Sequence, residues 1–178
     1  MADGRQLPFP DARFEVVLSC GVLEHVGVAE EWEPEYRVAP LPDQAEQRRR
    51  FLAECLRVLR PTGVLYLDHP NGAFPIDFWH TKDAQGRQPR FHSLREGFLP
   101  SFGEVRHLAR EIDPRCRVRA LSPAGRFTFR RVKRRWYGQV FGGPSEAFFN
   151  LLRYWPLKWL AATPLNPYLV IEISRQTY

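Results

Sequence analysis

Along the chain, apolar residues alternate between unbroken runs and a helical spacing, and that alternation predicts a layered α/β fold. Phe14 to Cys20 reads FEVVLSC, a run of the length of a strand buried on both faces, the mark of a parallel sheet. It breaks at Ser19-Cys20-Gly21 and delivers Glu24 and His25 side by side. Residues 26–43 are rich in acids and prolines and read as an irregular lid. From Asp43 the spacing changes. Phe51, Leu52, Cys55, Leu56 and Leu59 recur on one helix face, and Arg48, Arg49 and Arg50 before them are expected to be solvated. Asp43 and Glu46 stand at capping-box spacing, and Pro61 with Gly63 marks the stop.

A second apolar run, VLYLDH at 64–69, follows at once. Strand, helix and strand joined by short connections make a βαβ unit, whose crossover is right-handed in nearly all proteins, so the two strands are expected to be parallel. In such sheets ligands lie beyond the carboxyl ends of the strands. One rim then carries Cys20, Gly21, Glu24 and His25 from the first strand, and His69 and Asn71 from the second.

Residues 72–100 mix aromatics, prolines and histidines without a period, His80 among them, and read as a second lid. Ser101 with Glu104 predicts a capped helix carrying Phe102, Val105, Leu108, Ala109 and Ile112 on its apolar face. CRVRALS at 116–122 alternates as a strand, and YLVIEIS at 168–174 reads as the last one. A length of 178 residues fits one domain.

Charge changes this picture little. The formal +6 rests on arginine, since only Lys82, Lys133 and Lys158 are lysines, and a uniform preference of this kind reads as a compositional habit. The basic, aromatic run RFTFRRVKRRWYG at 126–138 has the composition of an anion-binding surface, yet reads first as a solvated face, so no nucleic acid is expected. Cys20, Cys55 and Cys116 are scattered and lack metal-ligand spacing, which argues for reduced thiols. His69, His80 and His92 are irregularly spaced, and no metal is expected. Met1 to Gln6 has no apolar core of a signal peptide, so a cytoplasmic protein is expected. Residues 147–173 are strongly apolar but carry Arg153, Lys158 and three prolines. They are unfit for a spanning helix, which needs about 20 apolar residues, and peripheral membrane contact stays open.

Four stretches carry a resemblance to a family: DGRQLPFPDARFEVVLSCGVLEHV, FLAECLRVLRPTGVLYLDHPN, FPIDFWH and NPYLVIEISR. In this order they resemble the C-terminal portion of class I S-adenosylmethionine-dependent methyltransferases that act on small molecules and lipids. The second resembles the family's E-x-x-RVLKPGG segment, with Thr62 in place of a glycine, and Glu15 stands where an aspartate is usual. The resemblance implies a partial Rossmann-like sheet, mostly parallel with flanking helices, and S-adenosylmethionine as cofactor. It implies that Asp3 accepts a hydrogen bond from the adenine amino group beside Gly4, and that Leu18, Cys20 and Gly21 pack along the cofactor. His25, with Glu24 behind it, faces the acceptor as the candidate base, and His69, Asn71 and His80 border the substrate.

The family's glycine-rich loop and first three strands have no counterpart here, so 1–178 reads as a single truncated domain. The strand 14–20 would then be an exposed apolar edge, a liability that proteins normally cover. An upstream segment, a homodimer contact or a partner chain would cover it, or the chain is a relic. The function implied is in-line methyl transfer to a small-molecule or lipid-like acceptor. The alternatives are a non-catalytic remnant or partner subunit, and a basic module for nucleic acid or an anionic membrane surface.

Overall fold

The computed structural model describes residues 3–82, 88–122, 134 and 136–175. Strand β1 (Phe14–Cys20) is followed by a 3-10 turn at Leu23–His25 and by a hairpin, β2 (Val28–Glu31) and β3 (Arg37–Pro40). Helix α1 (Gln44–Val58) leads into the long strand β4 (Leu59–Pro70). A short pair, β5 (Ile76–Asp77) and β6 (Arg90–Phe91), precedes helix α2 (Phe102–Ile112) and strand β7 (Cys116–Leu121). Helix α3 (Trp136–Leu151), a second 3-10 turn at Leu157–Ala162 and strand β8 (Tyr168–Arg175) complete the order.

The main sheet has the order β1-β4-β8-β7. β1 and β4 pair in parallel, from Val16 against Val64 to Cys20 against Asp68, as the βαβ reading expects. The expectation of mostly parallel strands needs correction. β8 inserts between β4 and β7 and runs antiparallel to both. Three strands therefore share one direction, but a single pairing is parallel.

Alternation along β4 and β8 explains the core. Leu65, Leu67, Leu169, Ile171 and Ile173 point to one face and meet Phe51, Leu52, Cys55 and Leu56 of α1 with Val105 and Ala109 of α2. Cutting a fully buried leucine of this cluster to alanine costs roughly 2–5 kcal/mol. On the opposite face, Tyr168 and Val170 pack with Phe149, Leu152 and Ala161. Among the described residues no helix is long and apolar enough to cross a membrane.

Local readings met mixed outcomes. Ser101 accepts from the Glu104 amide while the Glu104 carboxylate accepts from the Ser101 amide, a complete capping box. At α1 no such box forms: Asp43 Oδ1 instead accepts from Gln47 Nε2 at 2.8 Å, and Glu46 pairs with Arg49 and Arg50. Arg48 is not solvated but buried, facing the core from the same helix. The helix stops at Val58, and Leu59, which fits the helical spacing, already pairs with Phe14 as strand. Each lid holds a small antiparallel pair, β2–β3 in 26–43 and β5–β6 in 72–100. β1 is not buried on both faces. As an edge strand it leaves Val16 52% and Leu18 67% exposed, the bare apolar edge that the resemblance implies. Residues 126–133 and 135 of the basic run lie outside the described residues.

Gly72 fixes how the second lid leaves β4. A Cβ placed there would lie 1.9 Å from the Leu99 carbonyl oxygen, a backbone clash that no rotamer relieves. Gly72→Ala is expected to lower stability by at least about 2 kcal/mol, whereas Gly143→Ala, in open space on helix α3, should raise it by about 0.5–1 kcal/mol. Urea midpoints of the two variants check this.

Candidate active site

The site grows from the end of β1. The Gly21 amide donates to the Asp68 carbonyl at 2.9 Å and to Asp68 Oδ1 at 3.0 Å, tying the strand end to β4. Gly21 has φ +62°, a left-handed turn that suits glycine. The chain then enters the 3-10 turn, which buries Glu24 and leaves the His25 side chain 35% exposed.

His80 reaches the same place from the second lid. Asp77 Oδ1 accepts from the amides of Trp79 and His80 at 2.9 and 3.0 Å, an Asx-type turn. Its Oδ2 accepts from His80 Nδ1 at 2.8 Å. The far edge of the ring then faces His25, with Nε2 to Nε2 at 3.3 Å. His25 Nδ1 is held in turn by Glu30 of β2. Two carboxylate–histidine pairs thus meet ring edge to ring edge.

Aromatic side chains wall the pair. Phe98 stands edge-on to both imidazoles, and Tyr36 stacks on His80 at 5.9 Å. Arg90 covers Phe98 at 5.0 Å and reaches Asp77 Oδ2 at 3.4 Å. Beneath, Arg48 donates from Nη2 to the carbonyls of Phe98 at 2.5 Å and Glu24 at 3.3 Å. Glu24 is 1% exposed, its Oε2 has no partner, and burial pushes its carboxyl up to about 7.

Three clefts surround this core. A polar one of about 370 Å³ is bordered by Asp3, Gly4, Val22, His25 and Phe51. An apolar one of about 360 Å³ shares Gly4, Val22 and Phe51 with it and runs along Val16, Leu18 and Cys20. The largest, about 1200 Å³, lies beyond Tyr36 and Arg90, between the lids and α3, with Phe74, Phe78, Phe141 and Phe148 in its wall.

The sequence candidates divide. Asp3, Gly4, Leu18, Cys20 and His25 line the two adjoining smaller clefts, and His80 joins His25. Asp3 is gripped by Arg5, whose amide and guanidinium donate to both carboxylate oxygens and hold the carboxyl down at about 2. His69 and Asn71 border none of these three clefts. His69 is fully buried with Nδ1 donating to the Pro70 carbonyl at 2.8 Å. Asn71 ties the end of β4 to the carbonyls of Thr163 and Asn166. Of the thiols, Cys55 and Cys116 are buried and Cys20 is exposed. Asp77, Glu30, Tyr36, Arg90 and Phe98 escaped the sequence reading. The Asp-x-x-His spacing within FPIDFWH was the one signal for Asp77.

Comparison with known proteins finds methyltransferases. A family profile described as a methyltransferase domain matches residues 1–67. A probable S-adenosylmethionine-dependent methyltransferase of Mycolicibacterium smegmatis is 34% identical over 85 residues, covering 44% of this chain and 26% of that protein. A second, from Mycobacterium tuberculosis, is 32% identical over 101 residues, covering 53% of this chain and 30% of that protein. The chain therefore spans under a third of the length of these relatives. A solved S-adenosylmethionine-dependent methyltransferase from Mesorhizobium loti superposes with a TM-score of 0.42 at 13% identity, covering 98% of this chain and 68% of that one. The N-terminal part of the chain is thus similar to a methyltransferase domain and to probable S-adenosylmethionine-dependent methyltransferases.

Burial of His69 carries a pH signature. Desolvation depresses its pKa to about 4, against 6.5 for a free side chain. The folded state thus refuses a proton that the unfolded chain accepts, so this contribution is complete above pH 6.5 and is lost as pH falls towards 4. Between pH 7 and 5 the loss is about 2 kcal/mol, and in His69→Asn that part of the slope is expected to vanish in urea unfolding at the two pH values.

Proposed function

We propose that this chain takes part in S-adenosylmethionine-dependent methyl transfer to a small-molecule acceptor with a large apolar part. The observation that carries the reading is the place of the His25–His80 pair between the clefts: His25 borders the polar one with Asp3 and Gly4, and Tyr36, stacked on His80, borders the large one. The two smaller clefts are bordered by residues of the matched segment, Asp3 and Gly4 among them, and the large apolar cavity shares none of their lining residues.

Cofactor and acceptor are thereby assigned to separate clefts. The adenine end lies near Asp3 and Gly4, and the sulfonium lies along Leu18, Cys20 and Gly21. A nucleophilic atom of the acceptor attacks the sulfonium methyl in line, and the carbon–sulfur bond breaks as the new bond forms. His25, oriented by Glu30, takes the nucleophile's proton, and His80 backs it. Phe98, Tyr36 and Arg90 hold the acceptor in place and keep water out, which is most of what such a displacement asks of a protein. The acceptor's apolar body lies among Phe74, Phe78, Phe141 and Phe148, and Arg37 and Lys82 at the same cavity suit a polar or anionic end. A lipid-like acceptor also agrees with the exposed Tyr154, Trp155 and Trp159 beyond α3, which suit a peripheral contact with a membrane surface.

Exposed Val16 and Leu18 support a second reading, a partner subunit whose bare β1 edge is covered by another chain or a second copy. Equilibrium dialysis with radiolabelled S-adenosylmethionine separates the two. Saturable binding, weakened at least about fivefold (about 1 kcal/mol) in Asp3→Ala, is expected for the enzyme. No binding by the folded chain, alone or at concentrations where it dimerises, overturns the cofactor assignment and leaves the partner-subunit reading.

A further inference from the structure

Two features of the histidine pair are left over from the proton-acceptor role. Each imidazole spends its Nδ1 on a carboxylate, His25 on Glu30 and His80 on Asp77. An Nδ1–H donated to a carboxylate leaves Nε2 as a lone pair, so two lone pairs face one another at 3.3 Å. That separation repels unless a proton or a cation lies between them. The second feature is Glu24, 1% exposed, with Oε2 buried beside the pair and unpartnered.

We propose that Glu24, His25 and His80 form a binding site for one divalent transition-metal ion of the zinc type. One ligand atom from each residue lies within 4.8 Å of the other two. Zinc–nitrogen bonds of about 2.0–2.1 Å at a tetrahedral angle set two imidazole nitrogens about 3.3–3.4 Å apart, the spacing found here. Metal-bound histidines almost always give their other ring nitrogen to a carboxylate or carbonyl, which fixes the ring and raises its basicity; Glu30 and Asp77 stand in those places. The negative charges of Glu24, Glu30 and Asp77 outweigh the nearby Arg90, and Arg48 is turned to carbonyl oxygens. Two histidines and a glutamate leave a fourth position, and the partly exposed His25 puts it on the open side of the cluster. Such an ion would lower the pKa of an acceptor oxygen bound there; without it, the imidazole would take the acceptor's proton itself.

The measurement is titration of Zn²⁺ into the EDTA-treated full chain against a chromophoric chelator, with Co²⁺ absorption as a second readout. Expected are one ion per chain, an intense tetrahedral Co²⁺ band, and binding at least tenfold weaker in His25→Gln, His80→Gln and Glu24→Gln. Asp77→Asn, a positioning change, should weaken it 10–100-fold. The exposed pair His107 and Glu111 on α2, at 3.3 Å, is the competing surface site, so His107→Gln should change nothing. Loss of binding in His107→Gln, retention in a folded His25→Gln, or absence of binding overturns the proposal and leaves a shared proton between the rings. Binding is read without cofactor, so a chain that holds S-adenosylmethionine but no zinc sinks the metal site alone. One that holds zinc but no cofactor sinks the methyl-transfer reading alone.

Discussion

The buried guanidinium of Arg48 ties together the two segments that carry the candidate site. Arg48 leaves α1 on the helix's core-facing side and spends Nη2 on the carbonyls of Glu24 and Phe98. The first belongs to the turn after β1 and the second to the end of the second lid, segments that no sheet hydrogen bond connects. Burial disfavours its charged form, so the arrangement holds only while those carbonyls converge on it. Without that clamp, Phe98 loses its place against both imidazoles, and the turn carrying His25 is free to move relative to the segment carrying His80.

The sheet supplies the other half of the construction. Because β8 enters between β4 and β7, β4 has a neighbour on each side and its carboxyl end is fixed in three dimensions. Gly21 is bonded to Asp68, and Tyr168 of β8 donates to Asp68 Oδ1 at 2.8 Å. The end of β1 is therefore positioned through Asp68 of β4 by a residue a hundred positions beyond that aspartate. Meanwhile β1's own far edge stays bare, with Val16 and Leu18 in water. The strand end bonded to β4 and the exposed apolar residues thus lie on the same strand.

What was legible in the sequence was local. FEVVLSC, the spacing from Phe51 to Leu56, and Ser101 with Glu104 each record a strand, a helix face or a cap in consecutive residues, and each formed. Parallel pairing of β1 with β4 followed from the short connections. The antiparallel place of β8 did not, because pairing Val64 with Ser174 leaves no mark in either segment. Arg48 was hidden inside an arginine run whose other members are exposed, and only the rotation of α1 separates them. Asp43 and Glu46 had capping-box spacing but found nearer partners in Gln47, Arg49 and Arg50. His69 was legible as a strand-end residue on the correct rim, yet alternation along β4 turns it inward with Leu65 and Leu67.

The histidine pair shows why site chemistry is the last thing a sequence yields. His25 was visible at the end of a strand, and His80 was one histidine of three in an irregular stretch. Neither the contact between them nor the two carboxylates behind them follows from spacing, since Glu30 lies on the first lid and Asp77 on the second. Yet each carboxylate acts through local geometry. Glu30 lies five residues from its histidine and Asp77 three, so each dyad is a short-range device that the fold only has to bring together. A pair built this way has both outer nitrogens committed before any ligand arrives. Its two inner nitrogens, with the unpartnered Glu24 beside them, are pre-set to take up positive charge, and that constraint limits every chemistry the site performs.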